Sequence, residues 1–493
     1  MELIREELKS YTPSGERTSG FSESTDIIIP DSFPDFDEVV FSSATINVKD
    51  ELKQPGRILI SGQMDAVIVY RCFSQNGFYR INVPLNFAHV EDLKGVHENA
   101  LHFIKYDISQ VDVRILNSRK ISVTCSCVMH PQFFEPSYCS LTCDIQDAPS
   151  SLCIQKSKQT VRMISASERQ RFVILDDLEI QQKDDQTPLH TEVRFEHVDC
   201  TVSNGRITLN GSAILGIWEK HEDSQIIYHR HTIPFHQILE SDTLCDNTPT
   251  RILLSCHSVI CHYANSEILS VNINTEALFL QETEQEISCI KDLYDLNQQA
   301  DPAFHPVSLC TITENETFSY SASETLAVAN NVSDVLSTEL TVCSIMPAES
   351  NEIKCIISYS ILYLDDTDEN KIHHLQKQQP IVLQRSNTER AGTISNLVCT
   401  AETSFQDKQI TLRIKGSGIS TKYLPLSLPN LEEVSFSSFL NKEPQPIRVL
   451  FIDEPVSLWQ IAKSNRSTTH LIKQCNGLPE DITEVSHTKL LIP

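Results

Sequence analysis

Apolar and polar residues alternate in short runs along most of the first 420 residues. The clearest run places Ile121, Val123, Cys125 and Cys127 on one side of the chain, with hydroxyl side chains between them. A period of two residues is typical of a strand that buries one face, and helical spacing is poor throughout this region. We therefore predict a mainly β fold, made of antiparallel units that are either sandwich-like or open barrels.

The alternating region also contains an internal repeat of about 150 residues. A phenylalanine opens each copy, and successive phenylalanines are 151 and 146 residues apart. A proline marks a later segment of each copy, and successive prolines are 150 and 146 residues apart. The landmarks are Phe21, Phe172 and Phe318; the strand starts Arg57, Arg206 and Lys354; the aromatic residues Tyr70, Trp218 and Tyr363; Pro84, Pro234 and Pro380; and the late strand starts Lys120, Ile268 and Gln409. Landmarks that keep one order and nearly one spacing predict three tandem antiparallel β repeat domains.

We place the three repeats at residues 18–165, 166–300 and 301–424. Residues 425–446 contain four prolines and are predicted to form a linker. Residues 447–493 then form a separate C-terminal module.

The hydrophobic pattern of this module changes from strand to helix and back. Val449–Ile452 is an apolar run long enough for one buried strand. Ser457 can cap a first helix, and Ser467 or Thr468 can cap a second that ends at Asn476-Gly477. A closing strand at Leu490–Ile492 completes a predicted βααβ module.

Composition narrows the possible partners. The chain has 493 residues, a net charge of −26 and a pI near 5.0, which argues against nucleic acid and anionic membranes as partners. The first 20 residues carry charges throughout and contain no apolar core, so no signal peptide is expected. No run approaches 18 apolar residues, so no membrane insertion is expected either.

Sixteen cysteines occur, many of them in strand-like runs, and we interpret them as reduced packing residues. Cys256-His257 and Cys261-His262 resemble half of a zinc site, but the other half is missing. No metal site and no cofactor are predicted.

The sequence contains no motif of a familiar enzyme class. A P-loop, Gly-x-Ser-x-Gly, His-Glu-x-x-His and Gly-x-Gly-x-x-Gly are all absent, and 13 glycines are few for phosphate-binding loops. We predict a protein that is not an enzyme and has no catalytic residues.

The C-terminal module resembles a LysM domain. The matching positions are Leu458-Trp459-x-Ile461-Ala462, Leu471, Asn476-x-Leu478, Ile482 and Leu490-x-Ile492-Pro493. The resemblance implies a βααβ fold and, in most of the family, binding of N-acetylglucosamine-containing glycans. Trp459 could stack on a sugar, but at this position in the helix we expect it to pack in the module core.

Two departures from the LysM pattern affect the sugar-binding loops. Pro455-Val456-Ser457 replaces the usual Gly-Asp-Thr, and His487 stands where a glycine is usual. We therefore predict that the module does not need a glycan. The candidate partner-binding residues lie in and beside the two loops: Asp453, Glu454, Val456, Ser457, Glu480, Asp481 and His487.

The repeats resemble SPOCS domains, most clearly in the first copy. The matching segments are Pro30-Asp31, Pro34-Asp35, Arg57–Gly62, Val67–Tyr70 and Val113–Val123. Tandem SPOCS domains followed by LysM are the layout of SipL-type spore coat morphogenesis proteins of endospore-forming Clostridia and relatives. This resemblance implies a non-enzymatic adaptor in the mother-cell cytoplasm, at the forespore surface, that binds the morphogenetic ATPase of the coat basement layer through its LysM domain. The alternative is a peptidoglycan-binding or other glycan-binding protein of the spore envelope.

Overall fold

The structure is a computed structural model. It describes residues 2–14, 18–74, 77–93, 95–180, 188, 190–220, 226–265, 267–346, 352–366, 372–385, 393–439 and 447–493. The fold is mainly β, as predicted, with two short helices near the C-terminus.

The first repeat begins almost at the N-terminus and uses seven strands. They are β1 (Glu2–Pro13), β2 (Ser19–Ile28), β3 (Glu38–Gln54), β4 (Arg57–Cys72), β5 (Gly77–Asp92), β6 (Leu101–Asn117) and β7 (Lys120–Gln146).

The second and third repeats each use six strands, because one continuous strand takes the place of β1 and β2. The second repeat contains β8 (Leu152–Glu179), β9 (His190–Ser203), β10 (Arg206–Lys220), β11 (Ile226–Glu240), β12 (Thr250–Tyr263) and β13 (Ile268–Asp295). The third contains β14 (Gln299–Ala327), β15 (Val332–Met346), β16 (Glu352–Asp365), β17 (Ile372–Arg385), β18 (Thr393–Gln406) and β19 (Gln409–Ser437).

Each repeat packs an antiparallel three-stranded sheet against its long opening and closing strands. The three-stranded sheets are β3-β4-β5, β9-β10-β11 and β15-β16-β17. Alternate residues of the middle strand, such as Ile58, Ile207 and Ile353, enter the core between the two layers. In the third repeat β17 also pairs with β14 through two residues, which joins both layers into one six-stranded sheet.

Most landmarks of the sequence repeat lie on topologically equivalent strands. The three phenylalanines lie on β2, β8 and β14, and the three prolines lie on β5, β11 and β17. The proposed correspondence of the aromatic residues is wrong for one member. Tyr70 and Tyr363 belong to their repeat cores, whereas Trp218 faces the other side of its strand and packs between repeats. Because side chains alternate along a strand, a shift of one residue reverses the face.

The long strands extend well beyond the repeat cores. Their outer halves pair as the ribbons β1-β7, β8-β13 and β14-β19, and the three ribbons share a core that includes Leu8, Leu141, Val161, Ile287 and Leu428. At the opposite end the three-stranded sheets meet around Phe41, Trp218 and Leu362. The three repeats therefore surround a common centre.

The predicted boundaries of the repeats need correction. The segment before residue 18 belongs to the first repeat as β1, and β8 already begins at Leu152. The predicted linker is also wrong up to Ser437, because residues 425–437 continue β19. Pro425 and Pro429 pair with Cys310 and Pro306 of β14. Beyond Thr421, β19 pairs only with β14 among the described residues, so one of its edges has no strand beside it there. Such an edge tolerates proline, because no hydrogen bond of the ladder needs the missing N–H. Pro444 and Pro446 lie outside the described residues.

The C-terminal module has the predicted order of strands and helices. Its elements are β20 (Arg448–Ile452), β21 (Val456–Ser457), α1 (Leu458–Asn465), α2 (Thr469–Asn476), β22 (Glu484–Val485) and β23 (Thr488–Ile492). Ser457 caps α1, Thr468 caps α2, and Gly477 ends α2 with a φ of 59°, as the sequence predicts. The expectation of a buried first strand holds for only one of its faces, because Val449 and Phe451 are exposed.

Candidate functional site

The two loops that were predicted to bind a partner are tied to each other. Val456 pairs with Val485 and Ser457 with Glu484 in the short ladder β21-β22, and the N–H of Leu458 donates to the carbonyl of Thr483 at 2.9 Å. Two of the seven predicted residues therefore have structural roles. Val456 packs against the module core, and the Ser457 hydroxyl accepts the N–H of Trp459 at 3.3 Å.

The other five predicted residues are exposed and fall into two groups. Asp453 and Glu454 connect β20 to β21, and His487 connects β22 to β23. Because β20 pairs with β23 and β21 with β22, these two connections lie side by side. Glu480 and Asp481 lie apart from them in the turn after α2, where the Glu480 carbonyl accepts a bond from Lys473.

His487 adopts a left-handed backbone conformation at the position where the LysM pattern usually has a glycine. Its φ is 48°, a region that costs an ordinary L-residue about 1–2 kcal/mol and glycine almost nothing. The imidazole therefore projects from the turn at a position where a glycine would leave only backbone.

Trp459 does not have the position that was expected from the sequence. The indole is half-buried and lies between the module and the second repeat, instead of inside the module. Its Nε1–H donates to Asp292 Oδ2 of β13 at 2.8 Å, and its ring meets the ring of Tyr294 edge to face at 4.9 Å. The indole is not a free stacking surface for a sugar.

Two further bonds fix the module on the end of the β8-β13 ribbon. Lys463 Nζ lies 2.6 Å from Asp292 Oδ1, and the buried Tyr294 hydroxyl donates to the carbonyl of Ser467 at 2.8 Å. Cys153 and Leu296 add apolar contact. No sequence motif marks Asp292 or Tyr294, since their role depends on residues about 170 positions away.

The outer face of the β20-β23 sheet exposes several apolar side chains. Val449 and Leu491 pair across the ladder, as do Phe451 and Lys489, and the Lys489 ammonium lies 5.0 Å from the centre of the Phe451 ring. Phe451 is 67% exposed and Val449 55% exposed. The alternation in residues 448–452 could have indicated this face, but four consecutive apolar residues obscure it.

A cavity of about 1110 Å³ lies where the three repeats meet, remote from the module. Strands β3, β9, β15, β6 and β12 contribute most of its wall. The charged groups of the wall are largely paired: Lys105 with Asp107 at 3.0 Å, and Arg162 with Glu282 at 2.7 Å. This pairing leaves the cavity polar without an evident preference for one ligand charge.

One end of the cavity contains a cluster of side chains from all three repeats. The Ser43 hydroxyl lies 2.9 Å from His190 Nδ1, and His190 Nε2 lies 3.5 Å from Glu339 Oε1. This order of serine, imidazole and carboxylate superficially resembles a catalytic triad. Glu339, however, also interacts with the carboxyl of Glu192, which accepts a 2.8 Å bond from Tyr228, so the cluster is better described as a half-buried carboxyl pair.

A second buried network joins the first and second repeats. Glu51 accepts bonds from Tyr106 at 2.7 Å and from Arg169 of the second repeat. Arg169 also contacts Glu276 at 2.6 Å, and Arg171 reaches the same carboxylate at 2.7 Å. Burial alone would raise the pKa of Glu51, but the bond with His102 and the charge of Arg169 outweigh it and lower that pKa to about 2. The pKa of Glu276 is likewise lowered to about 2 against the effect of burial.

The Cys/His cluster that the sequence singled out is not arranged around a common point. Cys256 and Cys261 pack against the core of the second repeat, whereas His257 lies 3.4 Å from Glu276. Within the described ranges, no group of three or more His, Cys, Asp or Glu side chains is placed to hold a metal ion. All sixteen cysteines are free thiols. None of the helices in the described part of the chain is long and apolar enough to cross a membrane.

Neither the protein-family models nor the curated proteins include a match to this chain.

Proposed function

We propose that this protein is a non-enzymatic adaptor of endospore coat assembly, whose C-terminal LysM-like module binds the morphogenetic ATPase of the coat basement layer. The proposal takes its biological context from the resemblance of the repeats and the module to SPOCS and LysM domains. It implies that the protein works in the mother-cell cytoplasm, at the forespore surface.

The observation that carries a protein-binding role is the way the module is presented. Trp459, Lys463 and the carbonyl of Ser467 are all engaged by Asp292 and Tyr294. This contact orients the module on the repeats, while Asp453, Glu454 and His487 remain exposed. An oriented module suits an adaptor, because less orientational freedom is lost when a partner docks.

The conformation of the two loops around β21 and β22 argues against a glycan as the main ligand. The β21-β22 ladder holds them together, Val456 is turned towards the core, and His487 adds bulk at the rim. The exposed carboxylates Asp453 and Glu454 instead supply charges that can steer a protein encounter.

The test compares the full chain with a variant that lacks residues 447–493, by co-purification with the ATPase from sporulating cells. We expect the truncated chain to keep its repeats folded and to lose the ATPase. Unchanged co-purification would refute the role of the module. In parallel, sedimentation of the full chain with purified peptidoglycan tests the alternative, and tight binding there would favour the glycan-binding function.

A charge test refines the site. The double variant Asp453→Asn and Glu454→Gln is expected to slow association with the ATPase several-fold at low salt, since rim charges act mainly on the rate of encounter. Glu284→Gln is the matched control, because Glu284 is exposed on β13 outside the module.

A further inference from the structure

The carboxyl pair at the end of the central cavity differs from the network around Arg169, because no lysine or arginine of the described residues forms a salt bridge with either carboxyl. Glu192 lies on β9 of the second repeat, and Glu339 lies on β15 of the third. Both side chains line the cavity, together with Ser43 of the first repeat. The three repeats therefore meet at one titratable cluster.

The groups that face this pair come from several strands. His190 of β9 lies 3.5 Å from Glu339, and Tyr228 of β11 donates to Glu192 at 2.8 Å. His374 of β17 also faces Glu339, although burial lowers its own pKa to about 4, so it adds no positive charge near neutral pH. Arg194 and Arg230 act on Tyr228, and both contact Glu196 instead of the pair, at 3.1 and 3.6 Å.

Two carboxyl groups this close cannot both ionise without repulsion, and sharing one proton removes that repulsion. We propose that one proton shared between Glu192 and Glu339 clamps the second repeat against the third, and that its loss to solvent loosens this junction and opens the end of the cavity. Ser43 of the first repeat bonds to His190 and so connects the first repeat to the same clamp.

The electrostatics of the two residues support one proton for the pair. Burial, followed by the charge of Glu339, raises the pKa of Glu192 to about 7. Burial acts to raise the pKa of Glu339 as well, but the bond from His190 outweighs it, and that pKa lies below its ordinary value. A raised pKa in the fold means that the stabilisation is complete below the ordinary carboxyl value and is lost as the pH rises through about 7.

Amide hydrogen exchange of the full chain at about pH 6 and about pH 8 tests the clamp, after correction for the intrinsic rates. For a group with a pKa of about 7, the opening constant of β9 and β15 is expected to rise about tenfold over this interval. Glu192→Gln keeps the shape of the side chain and cannot ionise, so its β9 and β15 peptides should show no such rise. Glu284→Gln, at an exposed position of β13, should behave like the wild type.

Two results would overturn the clamp. One is an equal opening constant at both pH values in the wild type, and the other is the same tenfold rise in Glu192→Gln. If Glu192→Gln does not fold, as judged by far-ultraviolet circular dichroism, Glu339→Gln replaces it. Removing the neighbouring charge should lower the pKa of Glu192 and make the rise between about pH 6 and about pH 8 smaller than in the wild type, because only the effect of burial remains. An undiminished rise in Glu339→Gln would refute the proposal.

Discussion

Two pairs of carboxyl groups join neighbouring repeats, one pair buried and the other half-buried, and their surroundings have different effects. Between the first and second repeats, Glu51 and Glu276 share the guanidinium of Arg169, and the pKa of each carboxyl falls to about 2. Between the second and third repeats, the pKa of Glu192 beside Glu339 rises to about 7. Burial acts in the same direction at both junctions, so the bonds and charges around each carboxyl decide its pKa. At the first junction His102 and Arg169 lower the pKa of Glu51, and His257, Arg169 and Arg171 lower that of Glu276. At the second junction His190 lowers the pKa of Glu339, whereas that of Glu192 stays raised.

The two junctions also give the stability of one fold opposite responses to pH. The arginine-bridged junction contributes stability at neutral pH and loses it in acid. The proton-bridged junction contributes stability in mild acid and loses it as the pH rises. Together, these two junctions contribute most to stability in the interval between the two ranges.

Removal of the shared cation Arg169 is expected to have the largest effect on the first junction. Arg169→Met leaves two carboxylates buried at the junction, with exposed fractions of 2% and 1%, and the remaining charges cannot neutralise both. Loss of one partner from a buried ionic network costs about 3–5 kcal/mol. We expect that decrease in the free energy of unfolding, measured by denaturant titration.

A surface pair provides the control for Arg169→Met. Lys415 lies 2.8 Å from Glu402 with both side chains largely in solvent, so Lys415→Met should lower the free energy of unfolding far less than Arg169→Met does. A similar small cost for Arg169→Met would mean that burial does not set the scale at the first junction.

Acid titration tests the lowered carboxyl pKa values at the same junction. The lowered pKa values of Glu51 and Glu276 mean that their stabilisation is present above the ordinary carboxyl value and is lost as the pH falls towards about 2. The loss should amount to about 3 kcal/mol per carboxyl. Thermal melts from about pH 5 to about pH 2 should show a shallower decline in Glu51→Gln than in the wild type. An identical decline in both proteins would contradict the assignment.

The smallest effect is expected where a carboxylate contact is partly in solvent. Asp292 joins the C-terminal module to the second repeat, and its side chain is 26% exposed. Asp292→Ala removes the bonds to Trp459 and Lys463 and should weaken docking by about 1 kcal/mol. The fluorescence of Trp459 should shift to longer wavelength as the indole meets water more often, whereas Glu284→Gln should leave the spectrum unchanged. A spectrum of Asp292→Ala like that of the wild type would show that Tyr294 and the apolar contacts suffice.

Local patterns in the sequence were enough to predict the type and order of most elements. The two-residue alternation around Ile121 and Val123 marks a strand because side chains alternate whatever the strand pairs with. The caps Ser457 and Thr468 and the stop at Gly477 depend on bonds that reach only two to four residues along the chain. The spacing of Phe21, Phe172 and Phe318 locates the three repeats, since equivalent strands keep equivalent positions in the chain.

The tertiary structure alone decided which side chains meet. In the sequence, Pro425 and Pro429 suggest a linker. The structure places them on the part of β19 that pairs only with β14 among the described residues. Trp459 likewise suggests a core residue, and only the structure brings Asp292, 167 positions away, beside it. Glu192 and Glu339 have no local signal, because their interaction depends on how the second and third repeats close around the cavity. Sequence periodicity describes one strand at a time, whereas burial, pairing edges and pKa values depend on the neighbours that the complete fold brings together.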